Sequence, residues 1–317
     1  MSDLAQTKTS GTQEPQLTTA VLYGLAAAVI WGAWPVVSAL GIRQSLGVAD
    51  LAVLRFSVAG LILLPLVLRH GSGGLGWGRA AVLALCAGTP YVLASAGGLA
   101  YAPAGQGGII TPSCMLVFST LGGWLLLGDR PKRQRWLGIA LILAGVALIG
   151  GQALLSYQPG QWKGHVLFAT GGLLWASYTV ALRAWRADPL QATALVSVLS
   201  LVFTLPVYAV FAEPRILTAP AGELIGQAVF QGLLAAILAL VCYSRAVAIL
   251  GAGRGAVFAT LVPAIAVLLA YPLLGEVPAT TDLAGAALVT AGMLTALGLL
   301  PSKLLSWGRF PAWRAGR

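Results

Sequence analysis

The carboxyl half of this chain repeats its amino half. Residues 128–150 align with 275–297 at a constant offset of 147, which pairs Gly128 with Gly275, Asp129 with Glu276, Pro131 with Pro278, Gly138 with Gly285, and Ala144-Gly145 with Ala291-Gly292. The match continues at drifting offsets, as small loop deletions would leave it. Ala104-Gly-Gln-Gly-Gly108 answers Ala252-Gly-Arg-Gly-Ala256 at 148, Trp31-Gly-Ala-Trp34 answers Trp175-Ala-Ser-Tyr178 at 144, and Pro65 falls opposite Pro206 at 141. Any fold for this chain must accommodate two copies of one unit.

The copies are not soluble domains. Of 317 residues, 58% are hydrophobic and 9% charged, whereas a soluble domain carries about 25% charged residues. The net charge of +10 does not gather on any polar domain, so no nucleic-acid partner is expected and the cations read as membrane topology. Residues 1–17 lack the basic start of a secretory signal, and the first apolar segment is expected to stay as a span. Cys86, Cys114 and Cys242 fall inside predicted helices without paired spacing, as small packing residues do.

A bilayer core of about 30 Å needs roughly 20 apolar residues per helix. Segments of that length between turn signals are 19–41, 49–69, 80–101, 104–127, 134–151, 163–184, 190–211, 226–250, 254–274 and 280–300. The predicted fold class is therefore an all-α polytopic membrane protein of ten transmembrane helices. Its organisation is a polar tail (1–17), a first five-helix repeat (18–151), a connecting loop (152–162), a second repeat (163–300) and a basic amphipathic tail (301–317) suited to an anionic inner leaflet. Because five is odd, the second copy inserts inverted with respect to the first.

Orientation follows from Lys and Arg. One side holds Lys8, Arg69, Arg79, Arg130, Lys132, Arg133, Arg135, Arg183, Arg186, Arg254, Lys303, Arg309, Arg314 and Arg317, which is 14; the other holds Arg43, Lys163 and Arg215, which is three. The positive-inside rule places the richer side, with both termini, in the cytoplasm.

Leu51-Ala-Val-Leu-Arg-Phe56, the run Leu125-Leu-Leu-Gly-Asp-Arg-Pro131 followed by Gly138-Ile-Ala-Leu-Ile-Leu-Ala-Gly145, and Pro263 through Leu273-Leu-Gly-Glu276 resemble the EamA-type ten-helix exporters of the drug/metabolite transporter superfamily. The resemblance spans nearly the whole chain, and within the family it leans toward bacterial exporters of aromatic amino acids. It implies a multi-pass transporter of a bacterial inner membrane, not an enzyme, exporting amino acids (aromatic or apolar) or related small amphipathic metabolites by alternating access. The expected partners are a small-molecule solute and the lipid bilayer, with a monomer or weak dimer and no cofactor. A same-fold carrier of sugars, nucleotide sugars or other organic anions is the alternative. Two positions depart from the family pattern: Asp129 stands where Glu is usual, and Pro112 lies about one turn earlier than Pro263 would predict.

Aromatic residues are the main recognition candidates. Trp31 and Trp34 share one helical face, with Trp175 and Tyr178 at matching positions of the second copy. Tyr91 and Ser95 share a face of the third helix, Tyr101 ends it, and Tyr243 lies in the eighth. Such rings hold planar or apolar solutes, and their faces attract ammonium groups. The competing role of interfacial belt fits Trp77, Trp136, Trp162 and Trp307. Gln106 opens the fourth helix, and Arg55, inside the second, either meets a solute carboxylate or snorkels to the surface. Pro35, Pro90, Pro112 and Pro263 interrupt helices and act either as gates and hinges or as plain kinks.

All nine acids fall at helix ends or loops, which offers no mid-membrane carboxylate for proton coupling and leaves coupling open. No metal site is expected, since His70 and His165 lie near opposite membrane surfaces and no nucleophile–base constellation appears. Helices 1, 3, 4, 6, 8 and 9 are expected to line the cavity. Helices 5 and 10 are expected outside, with Gly138, Gly145, Gly285 and Gly292 marking one packing face.

Overall fold

The computed structural model describes residues 13–155 and 160–299. The tail 301–317, most of 1–17 and residues 156–159 of the connecting loop lie outside the described residues. Among those described, helices and tight turns make up the whole structure. We number the helices α1 (Gln13–Gln44), α2 (Val48–His70), α3 (Trp77–Ala87 and Thr89–Gly97), α4 (Ala104–Leu127) and α5 (Arg133–Leu155) in the first copy. The second copy holds α6 (Gln161–Ala184), α7 (Pro189–Phe211), α8 (Ala221–Leu250), α9 (Ala252–Thr260 and Val262–Leu274) and α10 (Thr280–Ala296). The first nine are long and apolar enough to cross a bilayer, and α10, at 17 residues, completes the second set of five.

Three of these helices are less regular than their hydropathy predicts. In α3 the helix breaks at Gly88, directly before Thr89-Pro90, so Pro90 begins a new segment and does not kink a continuous one. In α9 the break falls at Leu261, and Pro263 occupies the first turn that follows. Both arrangements place proline where its missing N–H costs nothing. In α8 the stretch Val229–Leu238 winds as a π-helix, a departure found often at functional sites.

The repeat recurs atom by atom. Gly128 ends α4 and Gly275 ends α9 in the left-handed region, at φ 72° and 67°. The next N–H then reaches back six residues, Asp129 to the Gly123 carbonyl (3.0 Å) and Glu276 to the Ala270 carbonyl (3.3 Å). These are two copies of one Schellman ending, in which glycine alone turns without steric cost.

Packing reveals how the copies are related. A Cβ on Gly138 would stand 2.5 Å from the Gly292 carbonyl, and one on Gly145 would stand 2.7 Å from that of Gly285. Since 138 and 145 correspond to 285 and 292, each residue meets the other's counterpart. Such reciprocal contacts define a two-fold relation, and α5 and α10 therefore run antiparallel, as inversion of the second copy requires. Other contacts obey the same exchange: α1 packs on α8 and α9, α6 on α3 and α4, and α2 lies against α7. Each half is thus buried mainly against the other.

Candidate functional site

Inside this frame lies a cavity of about 480 Å³, within the range of small-molecule sites. Its walls come from α1, α2, α3, α4, α6, α7, α8 and α9. The expectation of six lining helices is corrected here, because Arg55 and Phe56 of α2 and Thr193, Val196 and Ser197 of α7 also face the space. The pair α5 and α10 contributes nothing to it.

Of the ten binding candidates, eight line this one cavity: Trp31, Trp34, Arg55, Tyr91, Ser95, Trp175, Tyr178 and Tyr243. Four of the rings form a continuous series. Trp34 stacks on Tyr91 (centroids 6.1 Å apart, planes 21° apart), Tyr91 tilts against Trp175 (4.9 Å), and Trp175 meets Tyr178 (5.5 Å). Trp31 and Tyr243 make a second pair at 5.3 Å. Helices from both copies supply these rings, so the site exists only where the halves meet. Glycines let the helices approach: Gly107 abuts the Phe168 ring, and Gly108 faces Ala266. Pro35 and Pro112 also line the space, whereas Pro90 and Pro263 do not.

Two candidates are displaced. Tyr101 is 50% exposed at the end of α3, beneath the Lys163 ammonium at 5.8 Å. Gln106 is buried outside the cavity in a polar cluster: it donates to Asp282 (3.0 Å), accepts from Gln161 (3.0 Å) and shares a hydrogen bond with His165 (2.7 Å). Its amide is spent on holding α4, α6 and α10 together.

One contributor escaped sequence reasoning. Gln231, fully buried in the π-helical stretch of α8, accepts the Trp34 indole N–H at 2.8 Å and donates to Ser38 at 2.9 Å. Gln227, one turn earlier, donates to the Val37 carbonyl at 2.8 Å and accepts from Gln231 at 3.2 Å. The available signal was two glutamines four residues apart in an apolar segment.

Polar pairs join the helices at one end of the bundle, and toward the other the cavity lining reaches the exposed Pro189. On the side of Arg43 and Ser45, polar pairs seal the helices: Arg43 with Glu276, Ser45 with Glu223 (2.6 Å), Asp50 with Tyr208, and the Gln227–Gln231 seam between α1 and α8. On the opposite side the lining runs out through Leu182 to Pro189, an exposed residue at the start of α7. There the Asp129 carboxyl, in the loop after α4, is held below its ordinary pKa by hydrogen bonds from Arg183 (2.9 and 3.1 Å).

Comparison with known proteins agrees with this architecture. The model of the EamA-like transporter family matches twice, over residues 18–151 and 162–298. A curated relative from Streptantibioticus cattleyicolor, described as a probable terminal-alkyne amino-acid exporter, is 31% identical over 268 residues, covering 78% of this chain and 83% of its own. A solved crystal structure of another protein superposes with a TM-score of 0.62 at 20% identity, covering 91% of this chain and 99% of that one; at that identity it shows the fold. With its two five-helix copies each matched by the family model, the chain belongs to the EamA-like transporter family of the drug/metabolite transporter superfamily, and is a membrane transporter, not an enzyme.

Proposed function

We propose that this protein exports amino acids, aromatic or apolar ones, from the cytoplasm across a bacterial inner membrane by alternating access. The observation that carries the reading is the continuous ring series Trp34–Tyr91–Trp175–Tyr178 along a cavity whose one charged lining residue, among those described, is Arg55. Flat, polarisable walls favour a planar or apolar side chain, while the guanidinium favours a carboxylate. A transporter for amino acids is also what the 31% identical relative is described as.

Direction follows from charge and closure. The cavity lining reaches the exposed Pro189, close in the chain to Arg183 and Arg186, two of the cations on the side that the positive-inside rule assigns to the cytoplasm. In this reading the solute enters there, and the polar seam on the far side parts to release it. Pro35 and Pro112 at the wall, with the breaks before Pro90 and Pro263, supply positions where helices bend. Sugars and nucleotide sugars fit less well, since they would need more hydrogen-bonding and cationic groups than this lining offers.

Counterflow in liposomes tests the reading. Proteoliposomes loaded with unlabelled phenylalanine or tryptophan should accumulate the labelled amino acid from outside. Movement of a sugar or nucleotide derivative, with no amino acid transported, would overturn it.

A further inference from the structure

Among the described residues, Arg55 is the one charged side chain lining the cavity. It is 8% exposed, two turns into α2, and it lines the same cavity as Tyr91. Among the described residues it makes no hydrogen bond and no ion pair. A guanidinium in such surroundings is costly without a counter-charge. Its planar fork of N–H donors matches a carboxylate in two parallel bonds.

The ammonium of an amino acid finds no equivalent partner. Among the described residues no Asp or Glu lines the cavity, so an entering ammonium meets ring faces and neutral oxygens, which offset only part of its lost hydration. Charge balance points the same way. A zwitterion brings no net charge and leaves the site at plus one, whereas a monocarboxylate neutralises it.

We propose that the cavity recognises its solute through the carboxylate alone, so that the carrier also takes aromatic monocarboxylates lacking an amino group and refuses aromatic amines. This deepens, and rests on, the assignment of the cavity as the solute site. Arg55 is then the residue that selects the charged end, and the ring series selects the body.

Calorimetric titration of the purified protein in detergent decides the matter. The panel is L-phenylalanine, N-acetyl-L-phenylalanine and 3-phenylpropionate, which carry the carboxylate, against phenethylamine and L-phenylalaninamide, which carry only the ammonium. The three carboxylates should bind within about tenfold of one another and the two amines at least about a hundredfold more weakly. Arg55→Gln should weaken all three carboxylates by about ten- to a hundredfold, and Arg55→Lys by less, because it keeps the charge and loses the fork. Binding of phenylalanine without phenylpropionate, tight binding of the amines, or an Arg55→Gln protein that binds as the wild type does, would each overturn the proposal while leaving the cavity assignment standing. Should none of the panel bind, and no amino acid move in liposomes, the cavity assignment falls and this proposal with it. If Arg55→Gln fails to fold, the wild-type ranking alone decides.

Discussion

Trp34 lines the cavity with its ring and anchors the wall behind it with its nitrogen, donating to Gln231 at 2.8 Å. The ring that stacks on Tyr91 is therefore held by a residue outside the cavity lining. Gln231→Leu strands a buried indole N–H at a cost of about 1–3 kcal/mol and frees the ring to turn. KM for aromatic solutes should rise severalfold with a smaller change in the maximal rate, and Gln231→Glu, which still accepts the bond, should restore much of the loss. Transport kinetics in liposomes read both.

Truncating the rings separates the cavity from the surface. Trp34→Ala or Trp175→Ala removes large stacked area and should raise KM for tryptophan by about tenfold or more, as expected from aromatic pairing at about 0.5–1.5 kcal/mol beyond burial. Alanine transport should change far less. Tyr101→Ala, on the exposed tyrosine under Lys163, should leave both unaltered. Equal effects at all three positions would refute the assignment.

The α5–α10 crossing admits no side chain. A Cβ at Gly145 meets the Gly285 carbonyl at 2.7 Å and the Val289 side chain at 2.9 Å, and Gly145→Val must push the helices apart at about 1–3 kcal/mol. The thermal midpoint in detergent should fall by several degrees. Gly150→Ala, whose nearest atom lies 3.9 Å away, should keep it or raise it.

Loop chemistry predicts a pH dependence with a definite sign. The hydrogen bonds from Arg183 lower the pKa of Asp129, so the pair adds stability above the ordinary carboxylate value of about 4 and loses it as pH falls through the lowered one. At neutral pH the lock is closed. Asp129→Asn should open it there, seen as faster tryptic cleavage after Lys132 and Arg133. In the wild type, hydrogen exchange at 128–132, corrected for intrinsic rate, should loosen only below about pH 4.

The repeat was readable because it is written in backbone requirements. Gly128 and Gly275 share a left-handed turn, and Gly138, Gly145, Gly285 and Gly292 share a crossing, so substitution at any of them is penalised identically in both copies. The ring candidates were readable from their spacing on α1 and α6. Tyr101 and Gln106 were misplaced for a physical reason: a residue at a helix end has several directions open to it, and the partner that decides, Lys163 or Asp282, lies 62 or 176 residues further along the chain. Gln231 was passed over because its value depends on Ser38 and Trp34 of another helix. The share of α7 in the wall was hidden because Thr193 and Ser197 are small and ordinary in a membrane helix.

The antiparallel pair α5 and α10 sits on the two-fold relation itself. Exchanging the conformations of the two halves carries Gly138 against Gly292 into Gly285 against Gly145, which is the same crossing. This joint has nothing to gain by moving, and under the proposed alternating access it would be the fulcrum about which the aromatic walls tilt.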